Sequence, residues 1–264
     1  MLTTRACGPR QSLGNSGSRG YSKELEPFGK VAFGKVVVSP LVVPVEFEVI
    51  VSAPFMENTW IVRRPGRGDC LVVDPGFEPE KIIRSLRSNE LVPATILLTH
   101  GHADHIAGNA ALRREWPDLP ILIGAGDAPM LTDPRANLSA LGGVSVTSPP
   151  ADRLLVEGDR VEAAGFELDV LDLPGHSPGH IVYVLRTESP CVVLGGDVLF
   201  QGSIGRSDFP GGSHELLVSG IRKKLFALPG ETIVYPGHGD PTTTGEERRT
   251  NPYCGDNAGL FEIG

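Results

Sequence analysis

The most informative segment for predicting the fold is Thr99-His100-Gly101-His102-Ala103-Asp104-His105. It directly follows an apolar, β-branched run, Ala94–Thr99, that is typical of a buried strand. A helical pattern over Ile106–Glu115 follows the stretch. The histidines and the aspartate are therefore predicted to lie at the carboxyl end of a strand, on the turn into a helix.

The residue types and their spacing in this stretch predict a metal site. Residues two apart on an extended segment project to the same side, so the imidazoles of His100 and His102 can converge. Asp104 and His105 lie on the turn and can face a second point nearby. In the competing interpretation, Asp104 caps the helix and the histidines are surface residues. Four donors in six positions favour the metal site, since Zn, Fe and Mn accept such ligands.

Three later loops supply further candidate ligands. His176 follows a predicted strand in a segment dense in turn residues, Leu173–His180. Asp197 follows the apolar strand Cys191–Gly195, and His238 follows the strand Thr232–Tyr235. Each loop alone is a weak signal, but together with the first stretch they predict one site. His180 is interpreted as an ordinary residue at a strand start, with a donor close to the metals as the alternative.

The rest of the chain shows short strands, several of them in direct hairpins, mixed with helices. This pattern favours an α/β fold with two sheets and helices on their outer faces. The further predicted strands are Val45–Ser52, Thr59–Arg63, Cys70–Asp74, Ile121–Gly124, Phe166–Leu173 and His180–Leu185. The further predicted helices are Glu80–Ser88 and His214–Ala227.

Composition excludes some classes of function. The 264 residues carry a formal net charge of −8 and no basic stripe, so nucleic acid is not an expected partner. No apolar run approaches the roughly 18 residues of a membrane span, so we expect no membrane partner and a cytoplasmic location. The four cysteines form no CxxC pair and are interpreted as idle thiols in a reducing compartment. Residues 1–35 show no apolar periodicity and are predicted to be a disordered N-terminal extension.

Four segments resemble the metallo-β-lactamase superfamily, and within it the short bacterial glyoxalase II (hydroxyacylglutathione hydrolase) branch. They are LLTHGHADHIAGN from residue 97, LPGHSPGHIVYV from 173, GGDVLFQGSIGRSDFPGG from 195 and YPGHGDPTTTGEERRTNP from 235. The resemblance implies a four-layer αβ/βα sandwich over residues 36–264. It also implies a two-metal site: His100, His102 and His176 on the first ion, Asp104, His105 and His238 on the second, and Asp197 bridging them.

The resemblance further implies the reaction. A hydroxide shared by two divalent ions, zinc or alternatively iron or manganese, would attack the carbonyl of an S-acyl thiol such as S-lactoylglutathione. Asp104 would be catalytic by orienting that hydroxide, and Asp74 would support the metal loop through hydrogen bonds. The expected partner is thus a small-molecule thioester, whereas the sequence leaves the oligomeric state open.

One segment departs from the glyoxalase II pattern. Arg206-Ser207-Asp208 stands where the classical enzymes carry a Lys-Phe-Tyr run that grips glutathione. Arg206 either binds a substrate carboxylate or forms an ion pair with Asp208, and both interpretations stay open. The similarity of Gly205–Phe209 to a GRTDF segment makes an iron-dependent persulfide dioxygenase an alternative function, and a lactonase is another. A non-catalytic binding module would be expected to have lost ligands, and all seven are present.

Overall fold

The computed structural model describes residues 44–258, in which two six-stranded sheets face each other. In the first sheet the strands lie side by side in chain order, antiparallel from β1 to β3 and parallel from β3 to β6. They are β1 Glu46–Ser52, β2 Glu57–Arg63, β3 Asp69–Val73, β4 Val92–Leu97, β5 Ile121–Gly124 and β6 Arg153–Leu155.

The second sheet is assembled from the later part of the chain in the order β14-β13-β10-β9-β8-β7. Only β10 and β13 are parallel neighbours; the other pairs are antiparallel. These strands are β7 Arg160–Ala163, β8 Phe166–Asp172, β9 Ile181–Leu185, β10 Val192–Gly196, β13 Ile233–Pro236 and β14 Thr242–Thr243. A separate hairpin joins β11 Leu199–Phe200 to β12 Ser203–Ile204.

Helices lie outside both sheets, which confirms the four-layer αβ/βα sandwich. They are α1 Pro79–Ser88, α2 Ala103–Ile106, α3 Asn109–Glu115, α4 His214–Gly220 and α5 Thr244–Thr250. Two 3₁₀ turns, Ala128–Leu131 and Ser139–Gly142, and a π-helical turn, Ile221–Leu225, complete the described elements. None of the helices between residues 44 and 258 is long and apolar enough to cross a membrane.

Three apolar layers hold the sandwich together. The central one lies between the sheets, where Trp60 and Leu71 of the first sheet pack with Tyr183 of the second. Outside the first sheet, side chains of α1 and α3 pack on β4 and β5; outside the second, α4 and the π-helical turn pack on β9 and β10. Each fully buried aliphatic side chain stabilises the fold by about 1.5–3 kcal/mol before conformational entropy is counted.

The predicted strands are all present, with ends that shift by one or two residues, but the helix predictions need correction. The helix expected over Ile106–Glu115 begins at Ala103 and is interrupted before Asn109, giving α2 and α3. At the interruption, Gly108 donates a hydrogen bond to Pro75 O, and a Cβ there would lie 2.9 Å from Gly76 O. The close approach of another loop therefore breaks the helix. The helix predicted over His214–Ala227 ends at Gly220 and continues only as the π-helical turn.

Several short elements were missed by the sequence prediction. They are β6, β7, the hairpin β11–β12, β14 and α5, all of seven residues or fewer. The proposed extension over residues 1–35 lies outside the described residues. The interpretation of the cysteines as unreactive suits Cys70 and Cys254, since burial raises the pKa of each thiol to about 12.

The topology places every candidate ligand at one edge of the sandwich. Strands β3, β4 and β5 run parallel and end at this edge, and so do β8, β10 and β13 of the second sheet. Two main-chain hydrogen bonds join the sheets here: Ile181 N donates to Thr99 O over 2.9 Å, and Asn58 N donates to Gly237 O over 2.7 Å. The loops after these strands are therefore held in fixed mutual positions.

Candidate metal centre

Three imidazoles form the first set of donors. One nitrogen of each of His100, His102 and His176 lies within 4.8 Å of the other two. The closest pair is His102 Nδ1 and His176 Nε2, 2.9 Å apart. His100 Nε2 is buried and has no hydrogen-bond partner in the described part of the chain. The three nitrogens thus converge on one point from the loop after β4 and the loop after β8.

A carboxylate and two imidazoles form the second set. Asp104 Oδ2 lies 3.4 Å from His238 Nε2 and 3.8 Å from His105 Nε2. Asp104 and His105 lie in α2, and His238 lies on the loop after β13. The donors of this set also fall within 4.8 Å of one another.

Asp197 lies between the two sets. Its Oδ2 is 3.5 Å from His176 Nε2 of the first set and 3.5 Å from His238 Nε2 of the second. Its Oδ1 is 3.5 Å from His105 Nε2 and has no hydrogen-bond partner among the described residues. The structure therefore brings together all seven residues singled out in the sequence. Asp197, the carboxylate predicted to bridge the two ions, lies in the middle of them.

Electrostatics leave His100, His102 and Asp197 in the protonation states that metal ligands need, whereas the Asp104 and Asp197 carboxylates outweigh burial and raise the pKa of both His105 and His238. Burial, with the neighbouring His176, lowers the pKa of His102 to about 3, and burial with His105 lowers that of His100 well below its ordinary value. Burial alone would raise the pKa of Asp197, but the surrounding histidines, His105 first, outweigh it and lower that pKa. Two imidazoles are thus neutral and the central carboxylate is ionised, as coordination requires.

The residues present fit a pair of metal ions. Buried polar atoms without partners are costly, yet His100 Nε2, His105 Nε2 and Asp197 Oδ1 are all of this kind and all point into one cluster. Five imidazoles and two carboxylates form a donor set that Zn, Fe and Mn accept. Metal ions would satisfy these atoms at once, which explains why the fold tolerates them.

Asp74 supports the first ligand segment, the role that the family resemblance implies for it. Its Oδ1 accepts from Thr99 N over 2.8 Å, and its Oδ2 accepts from Thr99 Oγ1 over 2.7 Å. The same Oδ2 lies 3.2 Å from His105 Nδ1. Asp74 also falls within 4.8 Å of His100 and His105 donors, but these hydrogen bonds occupy its oxygens and make it a support for the ligands.

Asp127 is a further supporting carboxylate, and sequence reasoning missed it. It is buried on the loop after β5, where Oδ2 accepts from Gly101 N over 3.1 Å and from Ser177 Oγ over 2.5 Å. Its Oδ1 accepts from Gly179 N over 2.6 Å. Asp127 therefore ties the ligand segment of the first sheet to the His176 loop of the second. A lone aspartate in a Gly-rich loop carries no spacing signal that could have found it.

Main-chain groups and one further histidine orient the remaining ligands. His176 Nδ1 lies 2.7 Å from Arg206 O, and His238 Nδ1 lies 3.1 Å from Phe55 O, which leaves each Nε2 facing the centre. His180 is not an ordinary residue at a strand start. It is buried, stacks on His100 and accepts a hydrogen bond on Nε2 from Asp197 N over 3.1 Å.

The Arg206 side chain forms the ion pair that the sequence left as one of two possibilities. Its Nε and one terminal nitrogen donate to the two Asp208 oxygens over 2.9 and 2.8 Å. Both side chains are about two-thirds exposed, and the guanidinium stacks 4.2 Å from the Phe209 ring centre. The arginine thus lies at the rim of the site and is braced within its own loop.

The chain matches the family model of the metallo-beta-lactamase superfamily over residues 53–238. Hydroxyacylglutathione hydrolase GloC of Haemophilus influenzae is 34% identical over 207 residues, covering 78% of this chain and 96% of that protein. A solved structure of BLEG-1, described as a B3 metallo-beta-lactamase, is 38% identical, with a TM-score of 0.75 and coverage of 79% and 99%. TTHA1623 in a di-iron-bound form is 39% identical, with a TM-score of 0.69 and coverage of 78% and 99%. Sequence, fold and geometry agree: the chain belongs to the metallo-β-lactamase superfamily and is a metal-dependent hydrolase.

Proposed function

We propose that this protein uses a two-metal centre to hydrolyse small thioesters, the S-acyl derivatives of thiols. The observation that carries the proposal is the position of Asp197, whose carboxylate lies within 3.5 Å of imidazoles from both donor sets. A carboxylate shared in this way suits two ions held side by side. His100, His102 and His176 would hold one ion, Asp104, His105 and His238 would hold the other, and Asp197 would be shared between them.

The proposed ions are zinc, with iron or manganese as alternatives. Bound in such a pair, two divalent ions lower the pKa of a shared water to about 7 and polarise a carbonyl oxygen. The di-iron form of TTHA1623 supports iron as the first alternative. Imidazole and carboxylate donors do not discriminate among these metals, so the choice must come from measurement.

The chain's own residues position the water and the substrate. Asp104, on the open side of the centre, orients the attacking water and accepts its hydrogen bond. The carbonyl carbon gains the water's oxygen, the C–S bond breaks, and the proton released at attack ends on the thiolate. A thiol with a pKa near 8.5 leaves without a general acid.

The same site is poorly suited to amide or lactam substrates. An amine leaving group is far more basic than a thiolate and needs a proton donor. The ionisable residues lining the cavity above the centre, among those that the structure describes, are His102, Asp104, His176, Asp197, His238 and Arg206. The first five are the proposed ligands and Arg206 is paired with Asp208, so none is free to give a proton. Thioester cleavage is therefore favoured.

A substrate panel tests this function. Metal content is measured by mass spectrometry, and hydrolysis is followed with S-lactoylglutathione, a lactone, a β-lactam, and glutathione persulfide with oxygen monitoring. We expect close to two metal equivalents and cleavage of the thioester, with little turnover of the β-lactam. The relation to GloC supports the expected thioester cleavage, and the BLEG-1 relation makes the β-lactam an informative arm. Oxygen uptake with the persulfide and no thioester cleavage would replace the hydrolase by a dioxygenase.

A further inference from the structure

A cavity of about 620 Å³ opens directly above the metal ligands. Its size falls within the range of about 300–1,000 Å³ typical of small-molecule sites. His102, Asp104 and Asp197 lie on its floor, and most of the wall is apolar. Any substrate whose carbonyl reaches the centre must place its remaining atoms against this wall.

Aromatic side chains lie on opposite sides of the floor. The Phe209 ring lies 5.6 Å from the His102 ring, and the Phe200 ring lies 6.2 Å from the His238 ring. Phe55, whose carbonyl contacts His238, packs against Phe77 at 5.7 Å between ring centres. The reacting centre is thus flanked by apolar surface at both of its donor sets.

The wall offers almost no charge to a polar substrate. Apart from the proposed metal ligands, Arg206 is the only ionisable residue of the lining among those described, and its guanidinium is occupied by Asp208 and Phe209. A glutathione carrier brings two carboxylates, which would need cations to meet them. The described lining is therefore matched to an uncharged substituent.

Leu138 is the wall residue whose conformation is most informative. It adopts φ = +69°, a left-handed backbone that branched side chains rarely adopt. The preceding residue, Asn137, is buried, and its side chain fixes this loop by donating to Met130 O over 3.0 Å and Val146 O over 2.9 Å. Asn137 O in turn accepts from Ala103 N over 3.0 Å, beside the ligand Asp104. A bulky apolar side chain thus lines the cavity from a backbone conformation that carries strain.

We propose that the acyl group of the substrate is an uncharged aliphatic or aromatic chain that binds against Leu138 and the phenylalanines of this wall. The inference rests on the proposed thioesterase function and names its substrate class. A lactoyl group, which is short and carries a hydroxyl, leaves most of this surface exposed to water. The carrier thiol contributes little recognition, because the wall has no free charge for it.

A chain-length series on one carrier tests the inference. S-acyl derivatives of N-acetylcysteamine from acetyl to octanoyl are assayed with the metal-loaded enzyme. Each buried methylene should raise kcat/KM about fourfold until the cavity is filled. Replacing N-acetylcysteamine by glutathione at constant acyl group should change kcat/KM by less than the step from acetyl to butyryl. A flat chain-length profile with good turnover would overturn the inference and leave the thioesterase intact.

Leu138→Asn tests the wall directly, since asparagine tolerates the left-handed backbone. The ratio of kcat/KM for octanoyl to acetyl substrate should fall by about tenfold or more, the effect of losing one leucine that the acyl chain buries. Leu154→Asn, at a half-exposed leucine outside the cavity, is the matched control and should keep the wild-type ratio. Metal content and melting temperature establish that both variants retain the centre. An unchanged ratio in a folded, metal-loaded Leu138→Asn variant contradicts the proposal.

Binding of the product acids separates the two proposals. Calorimetric titration with carboxylates from acetate to octanoate should show a Kd that falls with each added methylene. If the carboxylates follow this trend and no thioester is cleaved, the apolar acyl site stands and the thioesterase proposal falls. If thioesters are cleaved and neither Kd nor kcat/KM depends on chain length, the assignment of the acyl site is wrong.

Discussion

The two sheets hold the candidate centre in different ways. The first supplies four donors from one stretch, His100 to His105, at the end of β4 and the start of α2. The second supplies His176, Asp197 and His238 from three separate loops. The first group is fixed by its own local geometry, whereas the second group depends on how three strands lie side by side.

The supporting contacts follow the same division. The Asp74 carboxylate binds His105 of the first stretch and Thr99, the residue directly before that stretch. The loops of the second sheet are fixed mainly by the main chain: Gly237 N donates to Gly196 O over 2.9 Å, which sets His238 beside Asp197. Asp127 is the exception, because it binds loops of both sheets. The difference predicts which substitutions affect one donor set and which affect both.

Removing Asp197 should have the largest effect, since it is the contact shared by both sets. Asp197→Ala should lower kcat by more than about 100-fold, because even outer partners of metal ligands typically cost 10–100-fold. Metal content should fall below two equivalents. The far-ultraviolet circular dichroism spectrum should stay native, because Asp197 lies on a loop and contacts chiefly the other ligands.

Asp240→Ala is the matched control, at an exposed aspartate two residues after His238. It should retain metal content and activity. A loss of the folded state in Asp197→Ala alone would mean that this carboxylate serves the fold more than the centre.

Asp74→Asn and Asp127→Asn should distinguish a support of the second donor set from a support of the first. Each amide replaces an acceptor by a donor and should cost about 10–100-fold in metal affinity. Because Asp74 contacts His105, its variant should weaken mainly the ion of the second set. Because Asp127 binds the residues next to His102 and His176, its variant should weaken mainly the ion of the first.

Stepwise metal titration with a chromophoric chelator separates the two equivalents. We expect Asp74→Asn to weaken one of the two metal-binding steps and Asp127→Asn to weaken the other. Equal weakening of both steps in both variants would show that the centre responds as a unit and that neither supporting carboxylate acts on one donor set alone.

The difference between ligands in one local stretch and ligands on separate loops also determines which of them the sequence alone could predict. The spacing of His100, His102 and Asp104 is a local signal, and the α/β sandwich follows from the order of apolar runs. The loop ligands could be found only jointly and with the family resemblance. Asp127 and the helix break at Gly108 depend on contacts with residues distant in the chain, at Ser177 and Pro75, for which a single sequence carries no period.

Tyr183 gives a smaller effect that measures the link between the sheets. Its buried hydroxyl, on β9, donates to Leu98 O over 3.0 Å, one residue before Thr99. Tyr183→Phe removes this bond and leaves a buried carbonyl short of a donor, which costs about 1–3 kcal/mol of unfolding free energy. The melting temperature should fall by about 2–4 °C for each kcal/mol. Tyr253→Phe, at a half-exposed tyrosine, is the control and should leave the melting temperature unchanged.

Arg206→Ala should have the smallest effect and tests what the second sheet's loops contribute. His176 is oriented by the carbonyl oxygen of Arg206, which alanine retains, so metal content should not change. The side chain's ion pair with Asp208 is exposed, and such pairs contribute little. For an uncharged acyl N-acetylcysteamine, kcat/KM should therefore change by less than about fivefold.

The role of the Arg206 side chain is decided by comparing this result with the kinetics of S-lactoylglutathione in the same variant. If Arg206 leaves Asp208 to bind a glutathione carboxylate, KM for that substrate alone should rise about tenfold or more, as the loss of a charge-assisted bidentate contact would give. Equal, small changes with both carriers would assign the arginine to its own loop and leave recognition to the apolar wall.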